Sequence, residues 1–514
     1  MKAVTGQIMR ELDAGEIAAG TSGDVLMERA GRGAFDAIRA WIRHLPKAAV
    51  ERLLILCGKG NNGGDGYVVG RLAAACGWPV TVVSSCPLEA LTGDAARNAA
   101  RLPDAVTVTH LTGALPATAF APGTLIVDAL LGTGISGAVR QPVAGWIRQV
   151  NASGLPVVSL DVPSGLNSDD GVGVGPVIQA ALTVTMGLPK TGLFMGEGPA
   201  CRGRVRCVDI GLSPERTASA ESALDVITAA DVAPFLKPRP FDGHKRVFGA
   251  LGVLGGSATY TGAPMLAGEA GLRTGCGLVT IIMPSAAAHT VDRGCRALMI
   301  RALDDHGSGC FSAEMVRELH TMADDFDAVV AGCGMTAAPG GAAALGEILG
   351  WDCPKVIDAD ALRLLACFPQ LLHGRKNTVI LTPHPGEFKA LWHGFFAAAP
   401  MPVSRWEQAV QLAAETDCVV VLKGAGTLVA SPTGDWTMNT TGDTALATAG
   451  TGDVLAGMIG GFTACGLPPW EAALCGVFLH GLAGEISDRG VRGLIADDLP
   501  GLIPEAMRMV NPLA

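Results

Sequence analysis

Charge is scarce in this chain: 17% of its 514 residues are Asp, Glu, Lys or Arg, and aromatic residues make up only 5%, with two tyrosines. The formal net charge is −10. With no basic surplus, the acidic balance disfavours non-specific binding to nucleic acid. The 14 cysteines include no C-x-x-C pair; Cys201 and Cys207, the nearest two, have five residues between them. That spacing fits no standard zinc site, so free, mostly buried thiols in a reducing cytosol are expected. No Walker lysine motif occurs, which argues against a P-loop enzyme. The uncharged stretches Val247 to Gly268 and Val454 to Trp470 are interrupted by glycines and by Pro264 or Pro468-Pro469, so they predict buried elements with turns and no membrane span. The opening Met1-Lys2-Ala3-Val4-Thr5-Gly6 lacks the apolar region of a signal peptide, and a cytoplasmic protein is expected.

What is abundant is apolar surface and glycine. Apolar residues reach 49%. Glycine stands at 69 of 514, against a usual share of about 7%. The glycines gather at the ends of apolar runs, as in α/β ligand loops. Short aliphatic runs at 52–57, 80–84, 124–128 and 157–161 alternate with helical patterns such as Gly66 to Ala75. Continuous apolar strands between helices predict a parallel sheet covered on both faces, a Rossmann-like three-layer domain. Residues 212–224 are small and polar and predict a linker. A second strand–helix series follows, at 251–254, 278–283, 328–332, 355–358, 378–381 and 418–422, with a hairpin from Thr427 to Asn439. Two α/β domains are expected, at 1–215 and 225–514.

Gly60-Asn61-Asn62-Gly63-Gly64-Asp65-Gly66 follows the run Leu53-Leu54-Ile55-Leu56-Cys57 and carries the most information. Small residues at a strand end let backbone amides approach a phosphate. The amides of two asparagines and the carboxylate of Asp65 point further, to a cation or a polar sugar in the same place. Gly58 to Gly63 matches G-x-G-x-x-G. However, the second strand ends in Ser84-Ser85-Cys86, without the acid that a dinucleotide fold uses to hold the ribose. Asp128, with the loop Gly132-Thr133-Gly134-Ile135-Ser136-Gly137, and Asp161-Val162-Pro163-Ser164-Gly165 end two more strands. Asn62, Asp128, Asp161 and Ser164 are expected to converge there. Their oxygens suit a hard cation, while helix or turn capping is the alternative use of the two carboxylates.

These three segments, with Leu26-Met27-Glu28-Arg29-Ala30-Gly31 on the first helix, resemble the NAD(P)H-hydrate epimerase domain across residues 1–215. The resemblance implies that Asn61, Asn62, Gly63, Gly64 and Asp65, together with Gly132, Thr133, Gly134, Ile135, Ser136, Gly137 and Ala138, hold the hydrated nicotinamide nucleotide. It also implies that Asn62, Asp128 and Ser164 hold K⁺, and that Asp161 is the catalytic or orienting carboxylate.

In the second half, Ala449-Gly450-Thr451-Gly452-Asp453 precedes an apolar helix. Glycines at a helix N-terminus aim free amides at one point, an anion hole, and Asp453 stands where it can take a hydroxyl proton. Val421-Leu422-Lys423-Gly424-Ala425-Gly426-Thr427 offers a lysine and open backbone. His384, between Pro383 and Pro385, stands at a helix start as a ligand or a cap. Asp358 and Asp360 suit either a metal or a cap. Together with His244-Lys245 and Tyr260-Thr261-Gly262-Ala263-Pro264, these segments resemble the ribokinase-like fold and, within it, the nucleotide-dependent NAD(P)H-hydrate dehydratase. The resemblance implies substrate contacts from Ala263, Gly334, His384 and Asp453. It implies nucleotide contacts from Lys423, Gly424, Ala425, Gly426, Thr427 and Gly452. It also implies ADP or ATP as co-substrate, with Mg²⁺. Ala449 and Thr444-Ala445-Leu446 depart from one common form of the motif, which puts loop shape and rate in question.

The pairing resembles the bifunctional NAD(P)H-hydrate repair family. It implies NADH and NADPH hydrates as small-molecule substrates, no nucleic-acid or membrane partner, and a homo-oligomer. A ribokinase-like kinase for a small alcohol, fused to a non-catalytic nucleotide-binding domain, is the alternative.

Overall fold

The computed structural model describes residues 1–43, 50–135, 137–222, 224–292, 294–397 and 399–513. These divide into two compact units, Met1–Asp225 and Val226–Ala514.

The first unit is built on a seven-stranded sheet in the order Thr107–His110, Val80–Ser84, Arg52–Cys57, Thr124–Ala129, Val157–Leu160, Leu182–Met186, Arg204–Val208. Every neighbouring pair is parallel. Alternate residues of the central strand feed opposite faces, as a pleated strand requires. Leu53, Ile55 and Cys57 enter one apolar cluster, and Leu54 and Leu56 enter the other. Burying each such leucine contributes about 1.5–3 kcal/mol. The chain order reverses between Arg52–Cys57 and Thr124–Ala129, so the crevice for a ligand opens beyond the carboxyl ends of those two strands.

The helix after the first of these strands spans Asn61–Ala75, so the expected start at Gly66 is corrected: Asn61 to Asp65 form its first turns. Three of the glycines there serve close packing. A Cβ on Gly63 would lie 2.0 Å from the Gly58 carbonyl oxygen, one on Gly64 2.5 Å from Met27 Sδ, and one on Gly66 2.7 Å from Ala129 Cβ. Gly31, on the neighbouring helix Gly23–Ile42, meets the same helix, and its added Cβ would sit 2.4 Å from Val68 Cβ. Gly60, the residue before the helix, has open space around it. The expected linker is also corrected, because Pro214–Ser219 is helical and Leu224–Asp225 pairs antiparallel with Lys2–Ala3.

The second unit carries a nine-stranded sheet in the order Met299–Leu303, Leu278–Pro284, Ala250–Leu254, Ala328–Ala331, Lys355–Ile357, Val379–Leu381, Val419–Leu422, Leu428–Ala430, Trp436–Met438. It is parallel as far as Val419–Leu422, and the expected hairpin then adds two antiparallel strands. Its order reverses between Ala250–Leu254 and Ala328–Ala331, where Gly256 N donates to Cys333 O at 2.9 Å. The helices Thr451–Ala464 and Pro469–Glu485 are almost wholly buried. No helix among the described residues is long and apolar enough to cross a membrane.

Candidate active sites

In the first unit a cavity of about 580 Å³ lies over the crevice. Asn61, Asn62, Asp65, Asp161, Gly132, Thr133, Gly134 and Ile135 line it. Gly63 and Gly64 lie beneath, buried in helix packing. Gly137 and Ala138 are exposed and outside the lining, and Ser136 lies outside the described residues.

Of Asn62, Asp128, Asp161 and Ser164, expected to converge, Asn62 and Asp161 both line the cavity, and the hydrogen bonds around the four fall into two groups. In one, Asp128 is fully buried and accepts from Ser164 Oγ at 2.6 Å, Ser164 N at 2.9 Å and Ser159 Oγ at 2.8 Å. Burial pushes its carboxyl above the usual range, and these hydrogen bonds oppose the shift. Asn62 Nδ2 donates to Leu131 O at 2.9 Å, and Leu131 N donates to Ser164 Oγ at 2.8 Å. Asn62 Oδ1 is buried with no hydrogen-bond partner among the described residues. A buried acceptor left open beside a carboxylate suits a hard monovalent cation.

In the other group, Asp161 follows the strand Val157–Leu160 in a left-handed conformation, φ 65°. Such backbone costs about 1–3 kcal/mol unless its surroundings hold it. Here Lys190 Nζ donates to Asp161 Oδ1 at 2.5 Å and to Met186 O at 2.9 Å, and Thr185 Oγ1 donates to Asp161 Oδ1 at 3.2 Å. The Lys190 side chain is 2% exposed. Sequence reasoning missed it, because it stands 29 residues from its partner in an unremarkable Leu-Pro-Lys. Asp13, on the helix Gly6–Ala18, was missed as well, and it also lines the cavity. Burial raises Asp13 to about 6, against the opposing Lys190 charge. Burial, and then the Asp161 charge, raise Asp65 well above its usual value.

In the second unit, the helix Thr451–Ala464 starts from Gly450 in a left-handed conformation, φ 89°, with no side chain capping its first turn. Its leading amides have no acceptor within the helix. His480 Nε2 donates to Thr451 O at 2.9 Å and fixes this turn from below; burial lowers its pKa to about 4, so the ring is neutral. Asp453 stands in the same turn. Burial and the Asp358 charge raise its pKa to about 6. Cys333, Asp358 and Asp453 bring their ligand atoms within 4.8 Å of one another.

Lys423 Nζ lies 2.6 Å from Asp358 Oδ1 and 4.0 Å from Glu387 Oε2. Lys423, expected to contact the nucleotide, is paired with a carboxylate here. Burial works against its charge, yet Asp358 and Glu387 raise its pKa. A Cβ on Gly452 would lie 3.3 Å from Lys423 Nζ, so the ammonium reaches the helix N-terminus. Gly424 and Ala425 are exposed, whereas Gly426 and Thr427 are partly buried. Arg405 holds this loop by donating to the carbonyls of Leu422, Lys423, Ala425 and Gly426.

Asp358 accepts from Thr382 Oγ1 at 2.8 Å, and Asp360 accepts from Thr336 N at 2.9 Å. His384 caps the helix Pro385–Phe396: its Nδ1 accepts from Gly386 N at 2.9 Å and Glu387 N at 3.3 Å. The ring's other nitrogen lies 3.3 Å from Glu387 Oε1, and the side chain is half exposed. Gly334, φ 66°, approaches Tyr260 and Ala263, where an added Cβ would lie 2.8 Å from Tyr260 Cβ and 3.3 Å from Ala263 Cβ. Contacts therefore run from His384 through Glu387, Lys423 and Asp358 to Asp453 and Cys333, next to Gly334 and Ala263.

Two α/β units, each with a helix N-terminus and a buried lysine–carboxylate pair beyond the ends of its parallel strands, fit the class of two-site α/β enzymes. The family described as YjeF-related protein N-terminus matches residues 23–192, and the family described as NAD(P)H-hydrate dehydratase matches residues 251–504. A bifunctional NAD(P)H-hydrate repair enzyme of Moorella thermoacetica is 37% identical, over 94% of this chain and 92% of its own. The enzyme of that name from Escherichia coli is 35% identical, over 95% of this chain and 89% of its own. A crystal structure of the ADP/ATP-dependent NAD(P)H-hydrate dehydratase of Bacillus subtilis, co-crystallised with ATP/Mg²⁺, is 30% identical with a TM-score of 0.48, covering 56% of this chain and 99% of that one. The chain belongs to the family of bifunctional NAD(P)H-hydrate repair enzymes.

Proposed function

We propose that the first unit interconverts the R and S epimers of hydrated NADH and NADPH, and that the second dehydrates the S form at the expense of ADP or ATP. The observation that carries this reading is Asp453, whose pKa is raised to about 6, in the first turn of an uncapped glycine-rich helix beside the Lys423–Asp358 pair. In this geometry Asp453 accepts the proton of the substrate hydroxyl as its oxygen attacks the terminal phosphoryl group. The amides of Gly452 and Asp453 meet the transferring charge, and the backbone at Gly424–Ala425 offers the nucleotide a surface. Phosphate then leaves with the C–O electron pair while the ring nitrogen forms a C=N bond. Loss of a proton from the neighbouring carbon restores the dihydronicotinamide. Ala263, Gly334 and His384 border the place for the nicotinamide. Mg²⁺ carried on the nucleotide phosphates needs no dedicated protein cage.

In the first unit, the Lys190-held carboxylate of Asp161 faces the cavity and is read as the group that acts at, or orients, the hydroxyl-bearing carbon. Asn62, Asp128 and Ser164 would hold K⁺. That ion would supply countercharge to the buried carboxylate and an anchor for ligand oxygens. The donor ADP is favoured over ATP. The reading also includes a cytoplasmic homo-oligomer.

The test mixes purified protein with racemic NADH hydrate, ADP or ATP, Mg²⁺ and K⁺ and follows the absorbance of restored NADH. Conversion of both epimers supports the two activities. Lack of conversion with either nucleotide overturns the reading, and a stable phosphate ester as product would establish the small-alcohol kinase in its place.

A further inference from the structure

Asp13 belongs to neither the Asp161–Lys190 pair nor the cation subsite. It reaches the 580 Å³ cavity from the helix Gly6–Ala18, a different element from the strand end that bears Asp161. Its Oδ1 is buried and has no hydrogen-bond partner among the described residues. A buried carboxylate oxygen is normally satisfied, and an unsatisfied one on a residue that lines a ligand cavity calls for a role, of which catalysis is one. The charged and titratable groups that act on it are Lys190, Asp161 and Asp65. Arg10, on its own helix, and Lys59 and Asp94 line the same cavity. Lys190 is already committed to Asp161, Thr185 and Met186.

We propose that Asp13 is the second acid–base catalyst of the first site, working with Asp161 as a two-carboxyl pair on the hydroxyl-bearing carbon of the nicotinamide hydrate. This rests on the epimerase reading above. One carboxyl protonates the substrate hydroxyl. The C–O bond breaks with its electron pair on oxygen, the ring nitrogen lone pair forms C=N, and water departs. The carbon is then planar. Water adds from the other face, the C=N pair returns to nitrogen, and the second carboxyl takes the proton. One proton enters and one leaves, and no oxidant or reductant is needed. Two carboxyls whose surroundings differ this strongly are suited to opposite proton roles at one pH.

The pair must hold one proton between them, so activity passes through an optimum in pH. Because epimerisation takes up no net proton, kcat/KM has the same pH dependence in both directions. Its alkaline limb follows loss of the Asp13 proton, so the rate falls as pH rises through about 6.

The test compares wild type, Asp13→Asn and Asp13→Glu for epimerisation of each purified NADH-hydrate epimer across pH, with dehydration of the S form recorded in the same samples. Asp13→Asn is expected to lower kcat for epimerisation by about 10²-fold or more, to lose the alkaline limb, and to leave KM and the dehydratase rate near wild type. Asp13→Glu, which keeps a carboxyl, is expected to restore much of the rate and the limb. Asp13→Asn epimerising near the wild-type rate, or keeping the limb, overturns the proposal. So does equal loss in both variants with the limb retained, which marks a structural aspartate. If wild type itself does not epimerise, the epimerase reading fails, and this inference with it.

Discussion

Each unit buries a lysine against a carboxylate beyond its parallel sheet, and the two pairs are used differently. In the first, Lys190 grips Asp161, the residue that faces the cavity and is read as reacting. In the second, Lys423 grips Asp358, while the candidate base is a different carboxylate, Asp453, clustered within 4.8 Å of Asp358 and with its pKa raised to about 6. A lysine bonded directly to the reacting carboxylate fixes its position. A lysine bonded to the neighbour fixes the field and leaves the base free to titrate. The first arrangement needs a second group to move the other proton, which is where Asp13 stands. The second leaves one base that both takes the proton and releases it.

The largest effect expected from this difference is at Asp453. Asp453→Asn should lower dehydration by about 10²–10⁴-fold and leave epimerisation in the same chain unchanged. In wild type the base form of Asp453 appears as pH rises through about 6, so the dehydration rate should climb through that pH and level off. Asp453→Asn should lose that climb, and a profile that keeps it would assign the titration to another group.

Next come the two lysines themselves. Removing one partner of a buried pair is costly because the other charge is stranded. Asp358, 2% exposed at its side chain, would keep the Thr382 hydrogen bond, whereas Asp161, 15% exposed, would keep those of Thr185 and Met186. Lys423→Met should therefore destabilise its unit by about 3–5 kcal/mol and Lys190→Met by about 1–3 kcal/mol. Urea unfolding followed by a probe in each unit measures both, and the reverse order would contradict this comparison.

The helix starts give a smaller contrast. Gly63→Ala pushes a Cβ to 2.0 Å from the Gly58 carbonyl oxygen, while Gly452→Ala meets only the ammonium end of the Lys423 side chain at 3.3 Å. The first should cost about 1–3 kcal/mol of stability. The second should cost less than about 1 kcal/mol yet slow phosphoryl transfer, because the Lys423 ammonium must move. Thermal melts with dehydratase assays separate the two outcomes.

The mildest effect expected is that of the cation. Exchange of K⁺ for choline should slow epimerisation more than dehydration, because the open Asn62 Oδ1 beside Asp128 belongs to the first site. Equal slowing of both would remove that assignment.

The parts of the fold legible in the sequence were those buried on both faces. Arg52–Cys57, Thr124–Ala129 and Val419–Leu422 are aliphatic runs, and they form central strands. Thr107–His110 and Arg204–Val208 carry exposed polar residues because they are sheet edges, and their polarity hid them; the edge strand Met299–Leu303 is interrupted by the exposed Arg301. Leu182–Met186 is fully buried, but its threonines masked it. Asp128, Asp161, Asp453 and Gly452 were legible because strand ends and a glycine-rich helix start announce themselves locally. Asp13, Lys190, Cys333 and His480 were not. Each acquires its role from a partner distant in sequence, and no local pattern encodes that meeting. The run Gly63-Gly64-Asp65-Gly66 was read for its ligand, and most of its glycines turned out to let two helices and a sheet approach each other.

The most direct test of two sites with separate carboxylates is the time course of racemic NADH hydrate with the Asp161→Ala variant, ADP or ATP, Mg²⁺ and K⁺. The account predicts that one epimer is converted to NADH at the wild-type rate and the other persists. Conversion of both epimers at the wild-type rate would contradict it.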